Sequence, residues 1–198
     1  SAPAFYYIVI LGIHEWFTPW FFRTNNTTTF SLALSLIFFY SIPFILCNLQ
    51  KLKLVIYEKN IFIFSIIYLI LLLLNFNFEI PYSGGIFFKI SKLLFSNNYF
   101  FYFISFLSFY LIFLIFKKFT AKNFLVLDLI LLILLIFMEI DGVIYHEAYD
   151  PLFYILSFLL IKNTLYADTI KNLSIKSLSY LFIFAFSFLV MSVVKTYL

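Results

Sequence analysis

Charge, cysteine and arginine are all scarce in this chain. Charged residues make up 11% of its 198 positions, against about 25% in an ordinary soluble domain, and there is one cysteine, Cys47, and one arginine, Arg23. A lone cysteine excludes an intrachain disulfide and leaves the redox compartment unreadable; at the end of an apolar run it reads as inert. The sequence has no P-loop, no cysteine cluster, no HExxH and no nucleophile elbow. It has no basic stripe of the kind that binds nucleic acid, so no nucleic-acid partner is expected. There is no basic n-region followed by a short apolar stretch and a cleavage site, so Ser1-Ala2-Pro3 does not open a signal peptide. The expectation is instead the C-terminal part of a longer membrane protein, with residues 1–198 as one transmembrane domain and no internal repeat.

What remains is apolar. Hydrophobic residues make up 65% of the chain, and the mean hydropathy is +1.08. A water-soluble fold of this size could not hide so much apolar surface, so lipid must be the solvent for much of it. The 31 Phe and 15 Tyr, with abundant Ile, Asn and Lys, fit AT-rich codon usage within an apolar constraint rather than aromatic binding chemistry.

Backbone polar groups in lipid must be satisfied within their own segment, so long apolar runs become helices of about 20 residues. The expected fold is therefore all-α, a polytopic transmembrane bundle of about seven spans. They are Pro3 to Phe22, Phe30 to Cys47 with a kink at Pro43, Ile61 to Phe76, Asn98 to Phe116, Phe124 to Met138, a sixth from Pro151, and Leu178 to Val194. The sixth is short: Pro151 to Ile161 makes about 16 Å of helix, so it extends to about Tyr166, begins near Ile144, or fails to cross.

Charge orients the set. With seven spans, the side of the N-terminus holds segments 48–60, 117–123 and 162–177, which carry nine of the 13 basic residues. The other side holds Arg23, Lys89, Lys92 and Lys195. Lysine and arginine near span ends favour the cytoplasm, so the N-terminal end is expected there, with loops 23–29, 77–97 and 139–150 extracytoplasmic. Acids divide the opposite way: Glu58 and Asp168 fall on the lysine-rich side and Glu15, Glu79, Glu139, Asp141, Glu147 and Asp150 on the other. Asp128 stays inside the fifth span near its cytoplasmic end, where it is expected to reach the interface in a structural role.

Chemistry could reside in three places. The outer end of the first span reads Gly12-Ile13-His14-Glu15-Trp16-Phe17-Thr18-Pro19-Trp20. Trp16 and Trp20 are interfacial anchors by the usual rule, whereas His14 and Glu15 are either site residues or groups reaching the headgroups. The densest ionisable cluster is Glu139 to Pro151, with four carboxylates, His146 and no lysine or arginine. Grouped carboxylates can hold a divalent cation, or raise one another's pKa so that one serves as a base; the plain alternative is a solvated loop with Asp150 capping the next helix. No spacing there defines a metal site. The third place is the turn Pro81-Tyr82-Ser83-Gly84-Gly85 and the segment 86–95, where Lys89 and Lys92 share a face of an expected interfacial helix and could meet a lipid phosphate.

The His14-Glu15-Trp16 segment, the Gly84-Gly85-x-x-x-Lys89-Ile90-Ser91 turn and helix, and Tyr145-His146-Glu147-x-Tyr149-Asp150-Pro151-Leu152 occur together. This combination resembles the C-terminal membrane half of GT-C-type glycosyltransferases, polytopic enzymes that transfer a sugar from a polyprenyl-phosphate donor on the extracytoplasmic face. The resemblance implies catalytic candidates Glu147, Asp150 and His146, and a donor and acceptor cavity involving His14, Glu15, Lys89, Lys92 and Tyr149. It also implies that the family's principal acid, in the first outer loop, falls outside this chain. The expected partners are membrane lipid and a polyprenyl-phosphate-linked sugar. A non-catalytic membrane scaffold and a transporter or lipid flippase are the competing readings.

Overall fold

Among the described residues the apolar runs are helical. The computed structural model describes residues 26–53, 57–78, 85–136, 153–171 and 174–197. In chain order the helices are α1 (Asn26–Cys47), α2 (Leu49–Lys53), α3 (Lys59–Asn75), α4 (Gly85–Phe95), α5 (Tyr99–Phe119), α6 (Leu125–Ile136), a π-helical segment Leu156–Leu160, α7 (Thr164–Lys171) and α8 (Ile175–Tyr197). Among the described residues there is no strand, only an isolated bridge between Thr120 and Asn163.

Among the described residues two helices are long and apolar enough to cross a membrane by length and composition: Thr27–Cys47 of α1 and Tyr99–Phe119 of α5. Lys59–Asn75 and Leu125–Ile136 are shorter apolar helices, and Ile175–Ser187 is the apolar stretch of α8. The expected first span, Pro3 to Phe22, lies outside the described residues.

α1 is the hub, and each of the other described α-helices packs against it. Its Leu32, Ala33, Leu34, Leu36, Ile37 and Phe44 are fully buried. Three serines on the same helix are also fully buried, and each turns its hydroxyl back onto its own helix. Ser31 donates to the Thr28 carbonyl at 2.8 Å, Ser35 to Leu32 at 2.7 Å and Ser41 to Ile37 at 2.8 Å. Small, self-satisfied residues let neighbouring backbones come close without a desolvation cost.

Several boundaries differ from those expected, for local reasons. α1 starts at Asn26 inside the expected loop 23–29, because Thr28 and Thr29 are buried and Thr28 Oγ1 accepts the Asn77 N–H at 3.2 Å. α8 starts at Ile175 rather than Leu178, because Ser174 and Ser177 cap it reciprocally: Ser177 N–H donates to Ser174 Oγ at 3.2 Å, and Ser174 N–H to Ser177 Oγ at 2.8 Å. The sixth span does not continue as one helix to Tyr166. The π-helical segment ends with Ile161 extended (φ −72°, ψ 123°), and α7 begins anew with Asn163 Oδ1 accepting the Leu165 N–H at 3.0 Å.

Gly85 opens α4 with φ +77°, a left-handed conformation that side chains disfavour. A Cβ there would sit 3.4 Å from the Leu36 side chain, a contact with room to adjust, so the backbone rather than space requires glycine. Gly85→Ala is expected to destabilise the fold by about 1–2 kcal/mol, read as a lowered thermal midpoint in detergent. An unchanged midpoint would show that the turn relaxes freely.

Candidate functional site

Of the expected site residues, Lys89 and Lys92 fall among the described ones, on α4. Sequence placed a short amphipathic helix at 86–95, and the observed helix is Gly85–Phe95. Its inner face seats Phe88 among Phe76, Phe78 and Phe101, at centroid separations of 5.9, 5.1 and 5.5 Å. Buried Ser91 ties its C-terminal half to the start of α5, donating to the Asn97 carbonyl at 2.7 Å and accepting the Phe101 N–H at 3.2 Å. Lys89 is half-buried, and Lys92 is exposed with its Nζ 5.6 Å from the centre of the Phe88 ring. Leu93, Leu94 and Phe95 are exposed beside it, so α4 presents a cation next to an apolar edge.

At the other end of α5, the segments 48–60, 117–123 and 162–177 meet. Glu58 takes hydrogen-bonded ion pairs from Lys117 and, at 2.8 Å, from Lys118, and its backbone N–H donates to the Tyr110 hydroxyl at 3.2 Å. Lys51 pairs with Asp168 at 2.7 Å. Asn163, fully buried, donates to the Ile115 carbonyl and to Thr120 Oγ1, both at 3.1 Å. Asn48 donates to Thr169 Oγ1 at 2.7 Å and the Phe44 carbonyl at 3.0 Å, and Ser41 and Tyr166 share a hydrogen bond of 3.0 Å. Sequence reasoning did not foresee this clasp. Its signal was present: Glu58 and Asp168 are the two loop acids among nine lysines, and each is paired.

Asp128 does not reach the interface as expected. It is fully buried in the first turn of α6, with Oδ1 accepting the Lys162 N–H at 3.1 Å and Oδ2 without a hydrogen-bond partner. The reason is that the break after the π-helical segment brings residues 161–163 across the start of α6, closing over the carboxyl group.

His14, Glu15, His146, Glu147, Tyr149 and Asp150 lie outside the described residues. Among the described residues no group of three or more His, Cys, Asp or Glu could hold a metal ion. The described residues define an all-helical protein in which two helices are long and apolar enough to cross a membrane. No family model, no curated protein and no solved structure matches the chain.

Hydrogen bonds from Lys117 and then Lys118 hold the Glu58 carboxyl well below its ordinary 4.5, at about 2. A carboxylate lowered on folding stabilises the fold above its unfolded pKa, and that contribution is lost as pH falls from about 4.5 toward 2. Stability in detergent is therefore expected to fall across that window, and Glu58→Gln to flatten the dependence there. An identical pH profile in the variant would remove Glu58 from the clasp.

Proposed function

We propose that this chain is a multi-pass membrane protein, with its lysine-rich end cytoplasmic, and that it forms the membrane part of a glycosyltransferase using a polyprenyl-phosphate-linked sugar on the extracytoplasmic face. The membrane reading is supported by the surface of α3. Phe62, Phe64, Ile67, Ile70, Leu71 and Leu74 are all exposed on this one helix, a larger continuous apolar surface than soluble monomers tolerate. The orientation is supported by the meeting of the three lysine-rich segments at one end, which seven alternating spans require.

The lipid-substrate reading is carried by α4. It is an amphipathic helix held by its aromatic inner face against α1 and α5, with Lys92 beside exposed Leu93, Leu94 and Phe95. That arrangement suits a helix lying at the level of lipid phosphates, with its apolar edge dipped among the chains. The acidic loop 139–150, with Glu147, Asp150 and His146, supplies the groups that could move a proton during transfer. One observation favours a transporter instead: a buried carboxylate, Asp128, beside a broken helix is what ion-coupled carriers use. It ranks lower because the sequence shows no internal repeat.

Replacing Glu147 or Asp150 by Ala in the intact protein is expected to reduce sugar transfer at least about 100-fold. Undiminished transfer in both variants would remove the site assignment. In a Cys47→Ser background, Lys122→Cys and Tyr145→Cys should react with an impermeant maleimide from opposite sides of the membrane. Labelling from the same side would overturn the orientation.

A further inference from the structure

Asp128 carries a carboxyl group that the fold buries and meets only in part. The residue is fully buried in the first turn of α6. Its Oδ1 accepts the Lys162 N–H at 3.1 Å, and its Oδ2 has no hydrogen-bond partner. No lysine, arginine or histidine among the described residues pairs with it; Lys122, just before α6, and Lys162 are both exposed. The N-terminal end of α6 offers about half a positive charge, whereas a buried carboxylate needs a whole one.

The helix break brings further oxygen to the same place. In a π-helix each N–H donates five residues back, as Ile161 does to the Leu156 carbonyl at 2.8 Å. The next bond of that series would run from Lys162 to Ser157. Lys162 instead gives its N–H to Asp128, so the Ser157 carbonyl receives no backbone donor among the described residues. Helix carbonyls point toward the C-terminal end, so this one is directed at the turn that closes over Asp128. Ser157 Oγ, in the same last turn, is also buried and without a partner. A carboxylate and the negative end of a helical segment thus meet at one residue, Lys162.

We propose that this junction is a binding site for a small monovalent cation, sodium or lithium, held by Asp128 Oδ2 and the open carbonyl end at Ser157. Charge sets the valence: one carboxylate balances one positive charge, and a divalent ion would leave a buried excess. Burial sets the size, because Ile161 and Asn163, themselves buried, cross the start of α6 and leave Asp128 no exposure. Oxygen donors suit a hard alkali ion, which needs none of the histidine or thiolate that a transition metal takes. The ion joins α6 to the π-helical segment whether or not it is carried across a membrane, so the site stands apart from glycosyl transfer.

The test is the thermal midpoint of the full chain in detergent, measured in chloride salts at one ionic strength. Sodium or lithium in place of choline should raise the midpoint by about 5 °C, and potassium by less than half as much. Asp128→Asn keeps an oxygen for the Lys162 N–H, and its amide supplies a donor for the open carbonyl. That variant should melt at one temperature in all four salts. Equal midpoints of the unaltered chain in sodium and choline overturn the site, as does a sodium rise that survives Asp128→Asn or one that potassium matches. The salt series on the unaltered chain decides by itself should the variant not fold. Neither sugar transfer nor a lipid enters the readout, so failure here is distinct from failure of the glycosyltransferase reading.

Discussion

Everything in this fold depends on polar groups finding partners close to home. A chain with 65% hydrophobic residues has few polar side chains to spare, and outside water an unpaired donor costs several kcal/mol. Helices settle the backbone. Five serines then settle themselves: Ser31, Ser35, Ser41, Ser65 and Ser108 all donate to a carbonyl three or four residues back on their own helix. A serine satisfied this way behaves toward its neighbours as a small residue. That is why α1, with four buried serines and threonines near its start, can also be the most buried helix.

Amides and charges act between elements where serines act within them. Asn163, Asn48 and Asp128 each bond the backbone or hydroxyl of a different element, and all three lie at the end where segments 48–60, 117–123 and 162–177 converge. Their bonds are short-range and directional, so they set the register of helices whose apolar faces alone would slide. The ion pairs add less: Lys51–Asp168 is largely exposed, and such pairs contribute about 0–1 kcal/mol. Pairing also consumes Glu58 and Asp168, which leaves the surplus of lysine undiluted at that end.

The long elements were legible because hydropathy reports them directly. α3 and α5 fall within three residues of the expected spans at either end. α2 and α7 were missed, since 48–60 and 162–177 are mixed in polarity and read as loops; both are short helices packed on α1, and α7 turns Leu165, Tyr166 and Thr169 inward. The break at 161–163 was invisible for a related reason. Residues 151–161 are apolar but for Ser157, and only the tertiary bonds of Asn163 and the Asp128 carboxyl show why the helix stops there. Of the candidate site, Lys89 and Lys92 were placed on a shared helix because i, i+3 spacing is a local property. The clasp at Glu58 joins residues 59 apart, and no window along the sequence contains it.

The aromatic excess takes on a different meaning in the folded chain. Composition alone attributes 31 phenylalanines to codon bias. In the proposed membrane setting, however, burial between helices supplies little driving force, because an acyl chain solvates a leucine as well as another helix does. Shape and ring geometry then decide which helices associate. Phe88 meets Phe78 and Phe101 nearly perpendicularly, at 88° in both cases, while Tyr68 lies almost parallel to Phe109 at 18°. Edge-to-face and offset-stacked pairs are the favoured arrangements, adding about 0.5–1.5 kcal/mol each beyond the area they cover. One set docks α4 and the other joins α3 to α5. The aromatic excess thus provides directional contacts between helices that an aliphatic bundle would lack.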